Sequence, residues 1–386
     1  MNLVFLLTNP NADFSYFLNR LQASGFLIFG ISDSPKSSLP VEIRASLKEH
    51  FKIDHPEALD QILTACVQIR NEFGPIERFE TLQNRFLEIE AVIREKFGIF
   101  GPKPAEIPFF KKKTLMKATF EAAGANVPRT KPLVDKRSAL KFTGRKYPVF
   151  IKPETSRENI YDNFLVSSEE ELNRFFAIKY DHQYIIQEYL GGRQESFNGL
   201  TDNQGNIVFF NCNFFSPDLC TTASSNENLS ILSPMNVPAD LEETGRAIVK
   251  AAKLNERFFV IEFIRTNDGK LYPIDLKMAI PPHLGCHIFN YSSDIDVFSL
   301  WANCINRVQS EFTFKRLYSV SFAGRKYNRS YKYSHDEIVS KCGKSLVYSG
   351  VNQSGDISLS GNFLYLLRSK DEQELKDLVN YIFAEP

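Results

Sequence analysis

Phe258-Phe259-Val260-Ile261-Glu262-Phe263-Ile264-Arg265, a turn at Asn267-Asp268-Gly269-Lys270, and Leu271-Tyr272-Pro273-Ile274-Asp275-Leu276-Lys277-Met278 form the stretch that decides the fold. Two apolar runs joined by an Asp-Gly turn predict an antiparallel hairpin. Because side chains alternate along a strand, Glu262 and Asp275 project from one face of that hairpin as neighbouring oxygen ligands. Paired carboxylates of this kind suit a hard divalent cation carried on a nucleotide.

Outward from the hairpin, 386 residues are too many for one core of ordinary size, and two or three domains are expected. A content of 43% hydrophobic and 24% charged residues is that of a soluble globular protein. The 46 basic side chains balance 46 acidic ones, so no overall field recruits nucleic acid or an anionic membrane surface. Small neutral or locally neutralised ligands fit that balance better. Six scattered cysteines without a C-x-x-C pair predict reduced thiols and a cytoplasmic setting. The start, Met1 to Leu7, lacks a basic n-region and breaks at Asn9-Pro10, and no apolar run approaches membrane-spanning length.

Met1 to Leu7 reads as a buried strand, Phe14 to Ser24 as an amphipathic helix, and Phe26 to Ser32 as a second strand, the opening of a parallel α/β unit. Pro40 to Phe97 is richer in helical periodicity, and the Pro-bearing Gly101 to Pro108 interrupts it, which places a first boundary at residue 108. A helix from about Lys111 to Ala123 leads to an apolar strand, Tyr147 to Pro153, that ends in Lys152. Ser168-Glu169-Glu170-Glu171 is a capping box for a helix to Ala177, Gln183 to Leu190 is a strand, and Asp202-Asn203-Gln204-Gly205 turns a hairpin. Cys212 to Ser230, rich in Ser, Thr and Asn, reads as a mobile connection over a cleft or as an ordinary surface loop. Helical spacing runs from Asp296 to Arg307. The tail from roughly Leu317 is strand-rich and ends with a helix over Asp371 to Ala384.

Several pieces in this order carry a resemblance: Gly74-Pro75-Ile76-Glu77-Arg78-Phe79-Glu80, Gly98-Ile99-Phe100-Gly101-Pro102-Lys103-Pro104, Lys113-Thr114-Leu115-Met116-Lys117, Gln187-Glu188-Tyr189-Leu190 and Phe289-Asn290-Tyr291-Ser292-Ser293-Asp294-Ile295-Asp296. With the acidic hairpin, they resemble the ATP-grasp carboxylate–amine ligases from about residue 70 to 307. The resemblance implies a mixed α/β and α+β ATP-grasp architecture: an N-terminal α/β domain over 1–108, a two-part ATP-grasp domain over 109–307 and a C-terminal α+β appendage over 308–386.

It also implies ATP and Mg2+ as cofactors, and activation of a small-molecule carboxylate as an acyl phosphate for attack by an amine. Lys113 and Lys152 match lysines that reach nucleotide phosphates, although Lys113 also fits a solvated charge run with Lys111 and Lys112. A lysine offers a point charge with three donors, suited to phosphate oxygens. Gln187, Glu188, Tyr189 and Leu190 match the strand that holds adenine, with a core role as the other reading of Tyr189 and Leu190. Glu195 matches an acid that accepts from ribose hydroxyls, or is a surface carboxylate. Glu262 and Asp275 match the metal ligands.

Four places depart from the family pattern. The loop Glu154-Thr155-Ser156-Arg157-Glu158-Asn159 has no glycine where backbone N–H groups normally wrap the terminal phosphate, leaving Arg157 as a phosphate clamp. Lys277 replaces an asparagine whose carbonyl oxygen helps ligate the metal, and an ammonium has no lone pair to give. Ala279 replaces an arginine that steadies the transferring group. Pro281-Pro282-His283-Leu284-Gly285 stands where the family has Pro-Pro-Gly-Gly. His283 and His287 flank Cys286; with no helix expected there and no third ligand nearby, they are read as cleft or hydrogen-bonded residues, not zinc ligands. The expected function is a ligase-like protein with an impaired or repurposed site, against two alternatives: an inactive binding or scaffolding module with a protein partner, and a nucleotide sensor.

Overall fold

The computed structural model describes residues 1–8, 12–155, 163–178, 183–308, 312–353 and 357–386. Among them, sixteen strands form three sheets. The first holds β1 (Asn2–Leu6), β2 (Leu27–Ser32), β3 (Glu49–Lys52) and β4 (Ile76–Glu80), all parallel in the order β3-β2-β1-β4. β1 is a continuous apolar run because both of its faces are covered. Leu3, Phe5 and Leu7 pack with Phe17 of helix Ala12–Ala23 and Trp301 of helix Val297–Ile305. Val4 and Leu6 pack on the other side with Ile62 and Ile69 of helix Leu59–Phe73. The helical reading of Pro40 to Phe97 passed over β3 and β4: β4 carries Arg78 and Glu80 inward, so it lacks the apolar signature of a buried strand.

The second sheet, β5 (Thr130–Leu133), β6 (Val149–Pro153), β7 (Phe164–Val166) and β8 (Tyr184–Glu188), is antiparallel in the order β5-β8-β6-β7. Val149, Ile151, Tyr184 and Ile186 pack on Phe142 and Phe175 of the two covering helices, so by alternation Phe150, Lys152 and Gln187 face the other way.

The third sheet comprises β9 (Gly192–Thr201), β10 (Ile207–Ser216), β11 (Ser230–Ser233), β12 (Phe258–Thr266), β13 (Leu271–Lys277), β14 (Ser319–Arg325), β15 (Leu346–Val351) and β16 (Phe363–Ser369). Its order is β13-β12-β9-β10-β11-β14-β16-β15, so the three strands of the tail continue it through β11. Phe197, Phe259, Ile261 and Phe263 pack beneath it on Met116, Phe120 and Ile248. The polar segment after Cys212 contains a helix, Leu219–Ser225, whose start Asp218 caps by accepting from the Thr221 N–H at 3.0 Å. No helix among the described residues is long and apolar enough to cross a membrane.

Where the first and third sheets meet, six buried side chains form a charge-balanced cluster. Arg78 lies 2.5 Å from Glu256, Arg94 lies 2.9 Å from Glu80 and 2.5 Å from Glu90, and Arg257 lies 3.2 Å from Glu80 and pairs with Glu90. None is more than 6% exposed. Removing one member of such a set strands a charge away from water, at a cost of about 3–5 kcal/mol. Glu80→Gln, which leaves Arg94 and Arg257 one carboxylate short, should therefore lower the urea midpoint by a stability loss of that size. A loss below about 1 kcal/mol, typical of exposed pairs, would show that the cluster is not the buried joint described here.

Candidate functional site

The hairpin β12–β13 turns tightly, with Thr266 N–H bonded to Lys270 O at 2.9 Å and Gly269 at φ +84°, a left-handed value that favours glycine. Its register sets Glu262 directly opposite Asp275, then steps to Phe263 opposite Pro273 and leaves Ile274 as an extra residue. Lys277 Nζ reaches across to 2.5 Å from Glu262 Oε1 and 3.8 Å from Asp275 Oδ2. Lys113, at the start of helix Lys113–Ala122, puts its ammonium 3.8 Å from Asp275 Oδ1. Of the three-lysine run, Lys112 is exposed and Lys111 is buried against Glu88 at 3.1 Å.

These groups line one cavity of 1480 Å³ between the second and third sheets. Lys152, across it on β6, donates to Gln187 Oε1 at 3.0 Å and stands 4.7 Å from the Phe150 ring centre. Burial and the nearby Lys113 ammonium depress the Lys152 pKa to about 8, against a weaker pull upward from Cys220, Asp275 and Glu262. Burial pushes the Asp275 carboxyl up, but Lys113, Lys277 and the Leu276 N–H outweigh it and hold the group below its ordinary value.

Gln187, Glu188, Tyr189 and Leu190 line the same cavity. Glu188 also accepts from the Arg129 N–H at 2.6 Å, and Tyr189 is 42% exposed, against Phe150, rather than in a core. Glu195 stands apart. Alternation along β9 turns Gln194, Ser196 and Asn198 to the cavity and Glu195 to the other face, where it is wholly buried. There Arg265 at 2.8 Å and Arg193 at 2.6 Å neutralise it, so the position expected to meet a ribose is a structural anchor for the hairpin. In the glycine-free loop, Glu154 accepts from Thr114, and Arg157 lies outside the described residues.

His283 and Leu284 take φ of 57° and 59°, so the backbone keeps a shape that suits glycine at positions that have none. His283 Nδ1 is 2.6 Å from Ser360 Oγ. His287, contrary to the expectation of no helix, lies in helix Gly285–Ser293 and stacks on Tyr291 and Tyr348. Sequence reading missed Gln194, which donates to Glu262 at 3.3 Å, and the cavity-facing amides Asn198 and Asn213. Their signal was the alternation of β9 and β10, visible once β9 is laid beside β12.

A divalent cation does not fit this donor set. Two carboxylates supply oxygens, but the third group beside them is an ammonium hydrogen-bonded to Glu262 and ion-paired with Asp275, and no cluster of three or more acidic, His or Cys side chains suited to a metal occurs among the described residues.

No protein-family model matches the sequence, and no curated protein matches it. Solved structures do match the fold. An L-amino acid ligase from Bacillus licheniformis superposes with a TM-score of 0.74 at 13% identity, covering 98% of this chain and 96% of that one. N5-carboxyaminoimidazole synthetase from Staphylococcus aureus complexed with ADP gives 0.74 at 13%, with the same coverages of 98% and 96%. Biotin carboxylase from Campylobacter jejuni, in complex with β-γ-ATP, gives 0.69 at 15%, covering 96% and 88%. From end to end, the chain has the ATP-grasp fold of the carboxylate–amine ligases.

Proposed function

We propose that the cleft binds an adenine nucleotide with Lys277 standing where a divalent cation would sit, and that it serves a repurposed, ligase-derived role rather than carboxylate–amine ligation. The observation that carries this reading is the Lys277 ammonium at 2.5 Å from Glu262 and 3.8 Å from Asp275. A divalent ion placed about 4 Å from that ammonium meets a repulsion on the order of 4 kcal/mol for each unit of its charge, at an effective dielectric near 20. Lys113 and Lys152 supply the charges for phosphate oxygens, and the β8 end from Gln187 to Leu190 supplies the wall for the base. Nucleotide neighbours bound to ADP and to β-γ-ATP support that placement. A protein partner reading the occupied cleft fits such a role.

A second reading, an active ligase for a small-molecule carboxylate and an amine, is favoured by the retention of both lysines and both carboxylates around one cavity. The two readings separate on Lys277→Asn. A cation substitute predicts that the wild type binds ADP equally with and without Mg2+, and that the variant gains Mg2+-dependent thermal stabilisation by ADP. Magnesium-dependent ATP turnover in the wild type that survives the substitution unchanged would restore the ligase reading.

Titration of Lys152 gives an independent check. Its folded pKa, about 8, lies below the ordinary lysine value of 10.5, so the free cleft sheds this proton early. A bound phosphate favours the ammonium and raises the pKa, so binding takes up a proton between the two values. Nucleotide affinity should thus be greatest below pH 8 and fall by up to about tenfold per pH unit above it. Calorimetry in buffers of different ionisation enthalpy should register the uptake at pH 8.5, and Lys152→Gln should abolish it. Pure pH independence in the wild type would remove Lys152 from the phosphate site.

A further inference from the structure

We propose that the helix-covered side of the second sheet, at the end where β5 finishes, docks on an anionic lipid surface. Its cations meet the headgroups, and two exposed aliphatic side chains enter the apolar boundary beneath them. The inference does not depend on what the cleft binds, because this face lies on the other side of the sheet from Lys152.

Strand pairing and helix periodicity decide which side chains share the face. Ile186 packs under the covering helices Lys136–Thr143 and Glu169–Ala177, and Lys131 of β5 stands directly opposite Ile186, so Lys131 projects on the helix side. In the first helix Ala139, Phe142 and Thr143 are buried. At about 3.6 residues per turn, Arg137 and Lys141 are one turn apart and point the opposite way. In the second helix Leu172 and Phe175 are buried and Arg174 is exposed. Phe175 meets Tyr184 edge to face, with ring centres 5.3 Å apart, and Tyr184 pairs with Leu133, the last residue of β5. The start of the first helix and the finish of the second therefore sit at one end of the sheet.

That end is positive and partly apolar. Lys131, Lys136, Arg137, Lys141 and Arg174 are all exposed, and none forms a salt bridge with a described residue. Asp135, the carboxylate among them, is engaged at the helix start, where it accepts from the Ser138 N–H at 2.6 Å. Val134 is 80% exposed, and Ile178, next after the second helix, is 58% exposed. The opposite end differs. There Val149 pairs with Val166, which brings Arg145 and Lys146, just after the first helix, beside Glu169, Glu170 and Glu171, which open the second. The chain as a whole is neutral, so the positive excess is local and gives the subdomain a direction.

A single exposed aliphatic residue is ordinary; two of them among five cations match a surface that is anionic outside and apolar just beneath. Each basic side chain near an anionic leaflet is worth about fivefold in partitioning. Nucleic acid would satisfy the cations but offers Val134 and Ile178 nothing. No exposed aromatic side chain, on which a single strand could stack, lies at this end among the described residues.

The test is co-sedimentation of the full chain with large unilamellar vesicles, one set of phosphatidylcholine alone and one with phosphatidylserine added, at low and at physiological ionic strength. Wild type should pellet with the phosphatidylserine vesicles only, and less at the higher salt. Arg137→Glu combined with Lys141→Glu should weaken partitioning by about twentyfold or more, and Val134→Ser by about threefold. Arg145→Glu combined with Lys146→Glu, at the mixed end, should cost several-fold less than the first pair. All of these side chains are exposed, so an unchanged unfolding temperature verifies folding. Should either double reversal fail to fold, Lys141→Glu against Lys146→Glu decides. Folded wild type that does not pellet with the anionic vesicles, equal losses at the two ends, or unchanged partitioning of Val134→Ser would each overturn the proposal. Binding of a DNA oligonucleotide in place of the vesicles, indifferent to Val134→Ser, would also overturn it and assign the face to nucleic acid.

Discussion

Three arginines and three glutamates buried between the first and third sheets fix where β12 begins. Arg257 is the last residue before that strand, and its guanidinium is held by Glu80 of β4 and by Glu90 of helix Leu87–Phe97. Apolar packing alone tolerates sliding, because one aliphatic contact resembles the next. Opposed charges in a water-poor joint do not, since a shift of one residue would leave a charge without its counter-ion. The starting point of β12 then sets Glu262, five residues on, and through pairing sets Asp275 and Ser196. The floor of the cleft inherits its registry from a joint that touches no ligand.

The cleft is an electrostatic compromise of a different kind. Lys113, Lys152 and Lys277 face Glu262 and Asp275, an excess of one positive charge among these five. Screening across the cavity is only partial, and the group that yields is Lys152, whose ammonium bonds to the Gln187 carboxamide oxygen. Lys277 resolves the opposite problem. Two carboxylates brought together by a hairpin repel each other, and the ammonium between them removes that repulsion without any ion from solution.

The hairpin, the parallel opening unit and most helices of the fold were legible in the sequence because alternation and capping are local. Ser168, Asp296 and Asp371 accept from backbone N–H groups at the helix starts. What escaped was set by distant partners. β4 was hidden because its inward side chains are charged: Arg78 is tolerable only beside Glu256, and Glu80 only beside Arg94 and Arg257, all of which arrive from elsewhere in the chain. Glu195 was assigned a ligand from its place after Gly191-Gly192, whereas strand parity turns it toward Arg265. The polar run after Cys212 resembled a loop because the helix Leu219–Ser225 within it is short and carries Ser and Thr residues in place of an apolar stripe, held at its start by the Asp218 cap. Composition cannot distinguish those cases.

β13, which carries Asp275, is an edge of the eight-stranded sheet, held on one side only by β12. Exposed edges invite further strands, and natural sheets blunt them. Here Pro273 has no N–H to offer, the extra residue Ile274 bends the strand, and the Leu276 N–H is taken by Asp275 Oδ1 at 3.1 Å and by Met116 Sδ at 3.2 Å. The carboxylate that faces the cleft thus also closes the ladder against a neighbouring molecule. Changing Asp275 would open an edge as well as a site, and self-association of such a variant would be a property of the strand, not of lost ligand binding.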